Sequence, residues 1–127
     1  MKKVIVDAGV IAEHLTTAEA VSPLRRLMRV HLCYTTVVSA AELFGRARTK
    51  RERTAVIAAM QAMKVLGING RSALRIGPLL ARAKERDDAY VAAVCLESRL
   101  PLVTNEPERY AGLPGLTVRT PAELTRQ

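Results

Sequence analysis

The chain has 127 residues, 49% hydrophobic and 25% charged, with a formal net charge of +8 and a pI near 10.2. That size and balance suit a single folded domain over residues 1–127 with a real core. No apolar run approaches the roughly 20 residues that span a bilayer, and 3% aromatic content excludes base stacking on exposed rings as the main way of holding a polyanion.

The expected elements alternate between strand and helix. Val4 to Val6 is a short β-branched run suited to a buried parallel strand. Lys2 and Lys3 before it mimic the basic end of a secretory signal, but Asp7 interrupts the apolar stretch too early, so the expectation is a cytoplasmic protein with no membrane contact. A helix begins over Val10 to Leu15, with Ala18 to Val21 as a possible extension. Ser22 and Pro23 start another, with Ser as N-cap and Leu24, Leu27 and Met28 at helical spacing.

His31 to Thr35 is the second strand. Thr36 or Ser39 caps a helix that carries Ala40, Ala41, Leu43, Phe44 and Ala47. Lys50 to Thr54 opens the next, whose Val56, Ile57, Met60 and Met63 form an apolar stripe for core packing. A brief strand follows at Val65 to Ile68.

Gly70, Arg71 and Ser72 mark a turn and cap. Ala73 to Arg86 is helical in period, with a kink or restart at Gly77-Pro78. Asp87 and Asp88 then cap a helix through Ser98, Asp87 being the more natural cap. Pro101 to Thr104 is the fourth strand. Pro114-Gly115 is a turn, Leu116 to Val118 a fifth strand, and Thr120-Pro121-Ala122-Glu123 a helix start. Strands separated by helices of this length imply right-handed βαβ units: an α/β fold with a parallel sheet of about five strands flanked by helices in three layers.

In such sheets ligands bind beyond the carboxyl ends of the strands. Asp7 and Glu106 lie at those ends, Glu42 in the helix after the second strand, and Asp88 where the helix before the fourth strand begins. Each acid has an ordinary role available: Asp7 as N-cap, Asp88 in a first helical turn, Glu106 and Glu108 as loop charges, Glu42 as a solvated helix residue. Glu42, however, sits among Val38, Ala40, Ala41, Leu43 and Phe44, where an unpaired charge is costly. Carboxylates gathered at one end of a sheet repel one another unless a cation joins them, and oxygen-only ligands favour Mg²⁺ or Mn²⁺.

Other chemistries lack their parts. Cys33 and Cys95 sit in apolar surroundings, read as buried free thiols, and His14 and His31 share no metal-like spacing. No Ser/His/Asp or Cys/His set and no glycine-rich phosphate loop is present, which argues against a small α/β phosphatase or a nucleotide-binding domain. Arg46, Arg48, Lys50, Arg51 and Arg53 form a basic cluster, either a solvated loop or a rim that brings the phosphates of a nucleic acid to the acids.

These residues resemble the PIN domain family, the nuclease fold of VapC-type toxins in bacterial toxin–antitoxin pairs. Val4 to Ile11 resembles the family's first strand and first acid. Thr36 to Leu43 is similar to its second motif, ending in Glu-Leu; Asp88-Ala89-Tyr90-Val91-Ala92-Ala93 to its third; Leu102 to Glu106, with Tyr110 beyond, to its fourth. The tail Gly112 to Val118 also fits, so the likeness covers nearly the whole chain.

The resemblance implies an Mg²⁺- or Mn²⁺-dependent endoribonuclease. Asp7, Glu42 and Asp88 would be catalytic and metal-binding, with Glu106 in support directly or through water. It also implies a homodimer and inhibition by a small antitoxin. Gly9 stands where the family usually carries Asn, Ser or Thr, and Glu106 where Asp is commoner, so that either Asn105 or Glu106 is the inward residue. A degenerate PIN domain that binds RNA or a partner protein without cleaving is the rival reading.

Overall fold

Alternation along β1 (Lys2–Val6) organises the molecule. Val4 and Val6 point to one face of the sheet and Ile5 to the other, all three fully buried. The computed structural model describes residues 1–126. The elements after β1 are α1 (Ala8–Thr16), α2 (Pro23–Val30), β2 (His31–Thr36), α3 (Val37–Arg46), α4 (Lys50–Gln61) and β3 (Lys64–Leu66). There follow α5 (Ser72–Leu80), α6 (Arg86–Ser98), β4 (Leu102–Val103), a 3₁₀ turn (Pro107–Tyr110), β5 (Val118–Arg119) and α7 (Pro121–Thr125).

All four strand pairings are parallel, in the order β3-β2-β1-β4-β5. One core joins Val4, Val6, Cys33 and Val103 of the sheet to Val10 and Ile11 of α1, Leu24 and Leu27 of α2, Leu43 of α3 and Val56 of α4. The other joins Ile5 and Leu102 to Ile76 and Leu79 of α5 and the apolar face of α6. The result is the expected α/β arrangement of three layers, a five-stranded parallel sheet between two sets of helices.

Short polar side chains fix the joints. Ser22 Oγ accepts the Arg25 N–H at 3.0 Å and begins α2, with Pro23 in its first turn. Thr36 Oγ1 accepts the Ser39 N–H at 3.0 Å and turns β2 directly into α3. The neighbouring buried Thr35 donates to the Val6 carbonyl at 2.7 Å, pinning the end of β1 to β2. Both cysteines are buried and free, as expected.

Several boundaries differ from the sequence reading. α1 stops at Thr16 rather than running through Ala18 to Val21, because Thr17 Oγ1 accepts the Glu19 N–H and the chain turns. The segment from Ala73 to Arg86 is not one helix. α5 ends at Leu80, two residues past Pro78, and Arg86 already belongs to α6.

Neither Asp87 nor Asp88 caps α6. The N-cap is Glu85, and Asp88 lies inside the first turn, where its Oδ2 accepts the Glu85 N–H at 3.3 Å. Ile57 leaves the apolar stripe for solvent, and Ala59 takes the buried place. β3 covers Lys64–Leu66, not Val65 to Ile68, and β5 begins only at Val118.

Candidate active site

The sheet order places β1 in the middle, between β2 and β4, so its carboxyl end opens into a crevice reached from both halves of the chain. Asp7, Glu42, Asp88 and Glu106 all line that cleft, of about 280 Å³. Four residues scattered from β1 to the start of the 3₁₀ turn are thus brought to one place.

Asp7 is 8% exposed and has two tasks. Its Oδ1 accepts the Ala8 N–H at 3.0 Å, capping α1. Its Oδ2 accepts the hydroxyls of Thr104 at 3.0 Å and Tyr110 at 3.1 Å. The ordinary capping role and the cleft role coexist. Tyr110 is itself buried; burial first, and then the charges of Asp7 and Asp88, push its phenol well above the usual range, so it stays protonated as a donor.

Asp88 is 1% exposed. A carboxylate so deeply placed requires a partner, and the partner is Arg109. Its Nε lies 2.8 and 3.0 Å from the two carboxylate oxygens and its Nη2 2.7 Å from Oδ1. Hydrogen bonding to Asp88 holds the guanidinium firmly in its charged form. Nη1 of the same residue reaches Glu106 Oε2 at 3.4 Å. The sequence reading missed Arg109; the only signal was its position one residue before the motif's aromatic.

Glu42 pairs with Arg46, one turn along α3, at 3.0 Å. The Glu106 side chain is 61% exposed. Asn105 and Glu106 both line the cleft, but the Asn105 amide reaches toward Glu13 of α1 at 3.5 Å, whereas Glu106 turns toward Arg109, the partner of Asp88. Gly9 also lines the cleft, and no heavy atom lies within 4 Å of where a β-carbon would stand.

The basic cluster divides. Arg46 lines the cleft, while Arg48, Lys50, Arg51 and Arg53 lie beyond it, on the linker and first turns of α4. Lys84 and Arg86 instead flank an adjoining groove that shares Glu42, Arg46, Asp87, Glu106 and Arg109 with the cleft.

Among the described residues, no three Asp, Glu, His or Cys side chains are close enough, as placed, to share one metal ion. The donor set nevertheless fits a hard divalent cation in kind. Carboxylate oxygens dominate it, with Asp7 and Asp88 buried at the base of one cleft and Glu42, Asp87 and Glu106 nearer solvent.

A family model described as PIN domain matches residues 4–111. No curated protein matches the chain. Among solved structures, a chain of the DNA-bound VapBC complex from Salmonella typhimurium aligns with a TM-score of 0.80 at 18% identity, covering 95% of this chain and 99% of that one. VapBC-1 from nontypeable Haemophilus influenzae gives 0.76 at 16% identity, covering 94% and 98%. A toxin–antitoxin complex from Klebsiella pneumoniae gives 0.76 at 19%, covering 93% and 97%.

Proposed function

The chain belongs to the PIN domain family, and from that premise we propose that it is a divalent-metal-dependent endoribonuclease, the toxin of a toxin–antitoxin pair. The observation that carries this reading is the convergence of Asp7, Glu42, Asp88 and Glu106 on one cleft at the carboxyl ends of the central strands. The toxin–antitoxin complexes among the structural neighbours support a small antitoxin as partner. A homodimer and an RNA substrate follow from the family's habits.

Asp7, Glu42 and Asp88 would hold Mg²⁺ or Mn²⁺, with Glu106 in support. When bound, such a cation offsets the negative charge that builds on a phosphodiester and favours ionisation of the attacking water. The chain's own residues prepare the place. Thr104 and Tyr110 fix the orientation of Asp7, and the Glu85 N–H holds one oxygen of Asp88. Thr35 keeps the end of β1 in register with β2 beneath them. Arg46, Lys84 and Arg86 supply positive charge at the mouth, suited to the flanking phosphates of an RNA strand.

Calorimetric titration of the metal-stripped protein with Mn²⁺, alongside Asp7→Asn, tests the site. Binding that disappears in the variant supports the reading, and an absence of binding in both sinks it. The second reading, a PIN domain that binds without cleaving, is favoured by Gly9 and by the Arg109 clamp on Asp88. Mn²⁺ binding without cleavage of any RNA in a mixed cellular pool would select it.

A further inference from the structure

Both carboxylate oxygens of Asp88 are engaged by the guanidinium of Arg109, and Oδ2 also by the Glu85 N–H. Oδ1 faces Nε at 2.8 Å and Nη2 at 2.7 Å of Arg109; Oδ2 faces the same Nε at 3.0 Å and the Glu85 N–H at 3.3 Å. One guanidinium, its Nε–H shared between the two oxygens, therefore bridges the whole carboxylate and competes with a metal ion for both of them. Asp7 is also met by three donors, but all are neutral: the Ala8 N–H and the hydroxyls of Thr104 and Tyr110.

We propose that Arg109 is the built-in counter-cation of this centre, and that a divalent metal binds Asp88 only by displacing the guanidinium. The inference rests on the reading of the cleft as a divalent-cation site and adds what controls its occupancy. Two features make Arg109 suited to exchange. Asp88 is buried and the guanidinium already sits on both of its oxygens, so a positive charge occupies the place before metal arrives. The displaced guanidinium also has somewhere to go, because Nη1 already approaches Glu106 Oε2 at 3.4 Å and the head lies 5.8 Å from the Tyr110 ring centre. A short swing toward the cleft mouth releases Asp88 while keeping Arg109 at the site. Arg109 thus sets the metal affinity and holds the acids together when metal is scarce.

The test is Mn²⁺ calorimetry and thermal unfolding, with and without Mn²⁺, on the wild type, Arg109→Gln and Arg109→Lys. Arg109→Gln is expected to bind Mn²⁺ about tenfold tighter or more, because no charge-assisted pair has to be broken. It should unfold at lower temperature than the wild type without metal and regain more on adding it. Arg109→Lys keeps the charge without the planar fork and should fall between, which preserves the test if Arg109→Gln does not fold.

In the wild type, the side-chain Nε–H resonance of Arg109 should shift on adding Mg²⁺ and stay put in Asp7→Asn. A purely structural arginine would not respond in this way. Equal Mn²⁺ affinity in the wild type and both Arg109 variants, with binding abolished by Asp7→Asn, would overturn the exchange and leave the metal site standing. Absence of Mn²⁺ binding in every variant would overturn both.

Discussion

Tyr110 donates its phenolic proton to Asp7 at 3.1 Å, a bond between residues 103 positions apart that ties the 3₁₀ turn to the end of β1. Both partners are buried. Removing the hydroxyl deprives a buried carboxylate of one of its donors while leaving the ring in the core. Tyr110→Phe should therefore lower unfolding stability by about 1–3 kcal/mol, read as a shift in the urea midpoint with an unchanged slope. A neutral result would mean that water replaces the hydroxyl and that the bond orients Asp7 without stabilising the fold.

Asp7→Asn separates chemistry from architecture. Asn is as good an N-cap as Asp, and its carbonyl oxygen can still accept the Ala8 N–H. Thr104 and Tyr110 can turn their hydroxyls to suit an amide. The variant should fold with a near-native thermal midpoint and lose Mn²⁺ binding and RNA cleavage together. Loss of the fold, seen by circular dichroism, would make Asp7 chiefly structural.

Position 9 is open to substitution. Gly9 lies in the first turn of α1 with a negative φ and free space where a side chain would stand. Gly9→Ala should stabilise the protein by about 0.5–1 kcal/mol through helix propensity alone. Gly9→Ser adds a hydroxyl to the cleft and should also tighten Mn²⁺ binding relative to Gly9→Ala. Equal affinity in the two variants would show that an oxygen at this position does nothing for the metal.

The placement of cations makes a prediction about salt. Neutralising Arg46, Lys84 and Arg86 to Gln should flatten the dependence of RNA affinity on salt, by about 0.7 in log–log slope for each single-strand phosphate no longer neutralised. The same treatment of Lys50, Arg51 and Arg53, which stand outside the cleft, should flatten it less. The reverse order would move the RNA path onto α4.

His14 gives the fold a pH dependence away from the acids. Burial first, and then the charge of Arg25, hold its imidazole below the ordinary histidine value, and its Nδ1 lies 2.6 Å from Ser22 Oγ. The folded value is depressed, so the unfolded chain takes up the proton first. Stability from neutral His14 is present above the unfolded value, about 6.5, and is lost as pH falls toward the folded one. The thermal midpoint should drop between about pH 7 and pH 5, and His14→Gln should reduce that drop. Equal drops would assign the effect to other groups.

Much of this was readable in the chain because its cause is local. Ser22-Pro23, the Thr36 cap and the β-branched run of β1 act over a few residues, and each forms the element expected of it. The four acids were readable because a parallel sheet fixes where its strand ends go. The Arg109 clamp was not. It depends on how the 3₁₀ turn folds back over the sheet, a matter of packing between segments 21 residues apart. The cleft-mouth cations Lys84 and Arg86 were hidden for a similar reason. They sit where α5 gives way to α6, a stretch the periodicity read as still helical as far as Arg86.

The crevice beside β1 takes Asp7 and Glu42 from the first half of the chain and Asp88, Glu106, Arg109 and Tyr110 from the second. During synthesis, β1, β2 and β3 can pair as soon as they emerge, but the acids contributed by the second half arrive last. Closing so long a loop is slow relative to local pairing. A growing polypeptide therefore carries half an acidic cleft until β4 and the 3₁₀ turn dock. Any chemistry that needs acids from both halves of the cleft must wait for that docking.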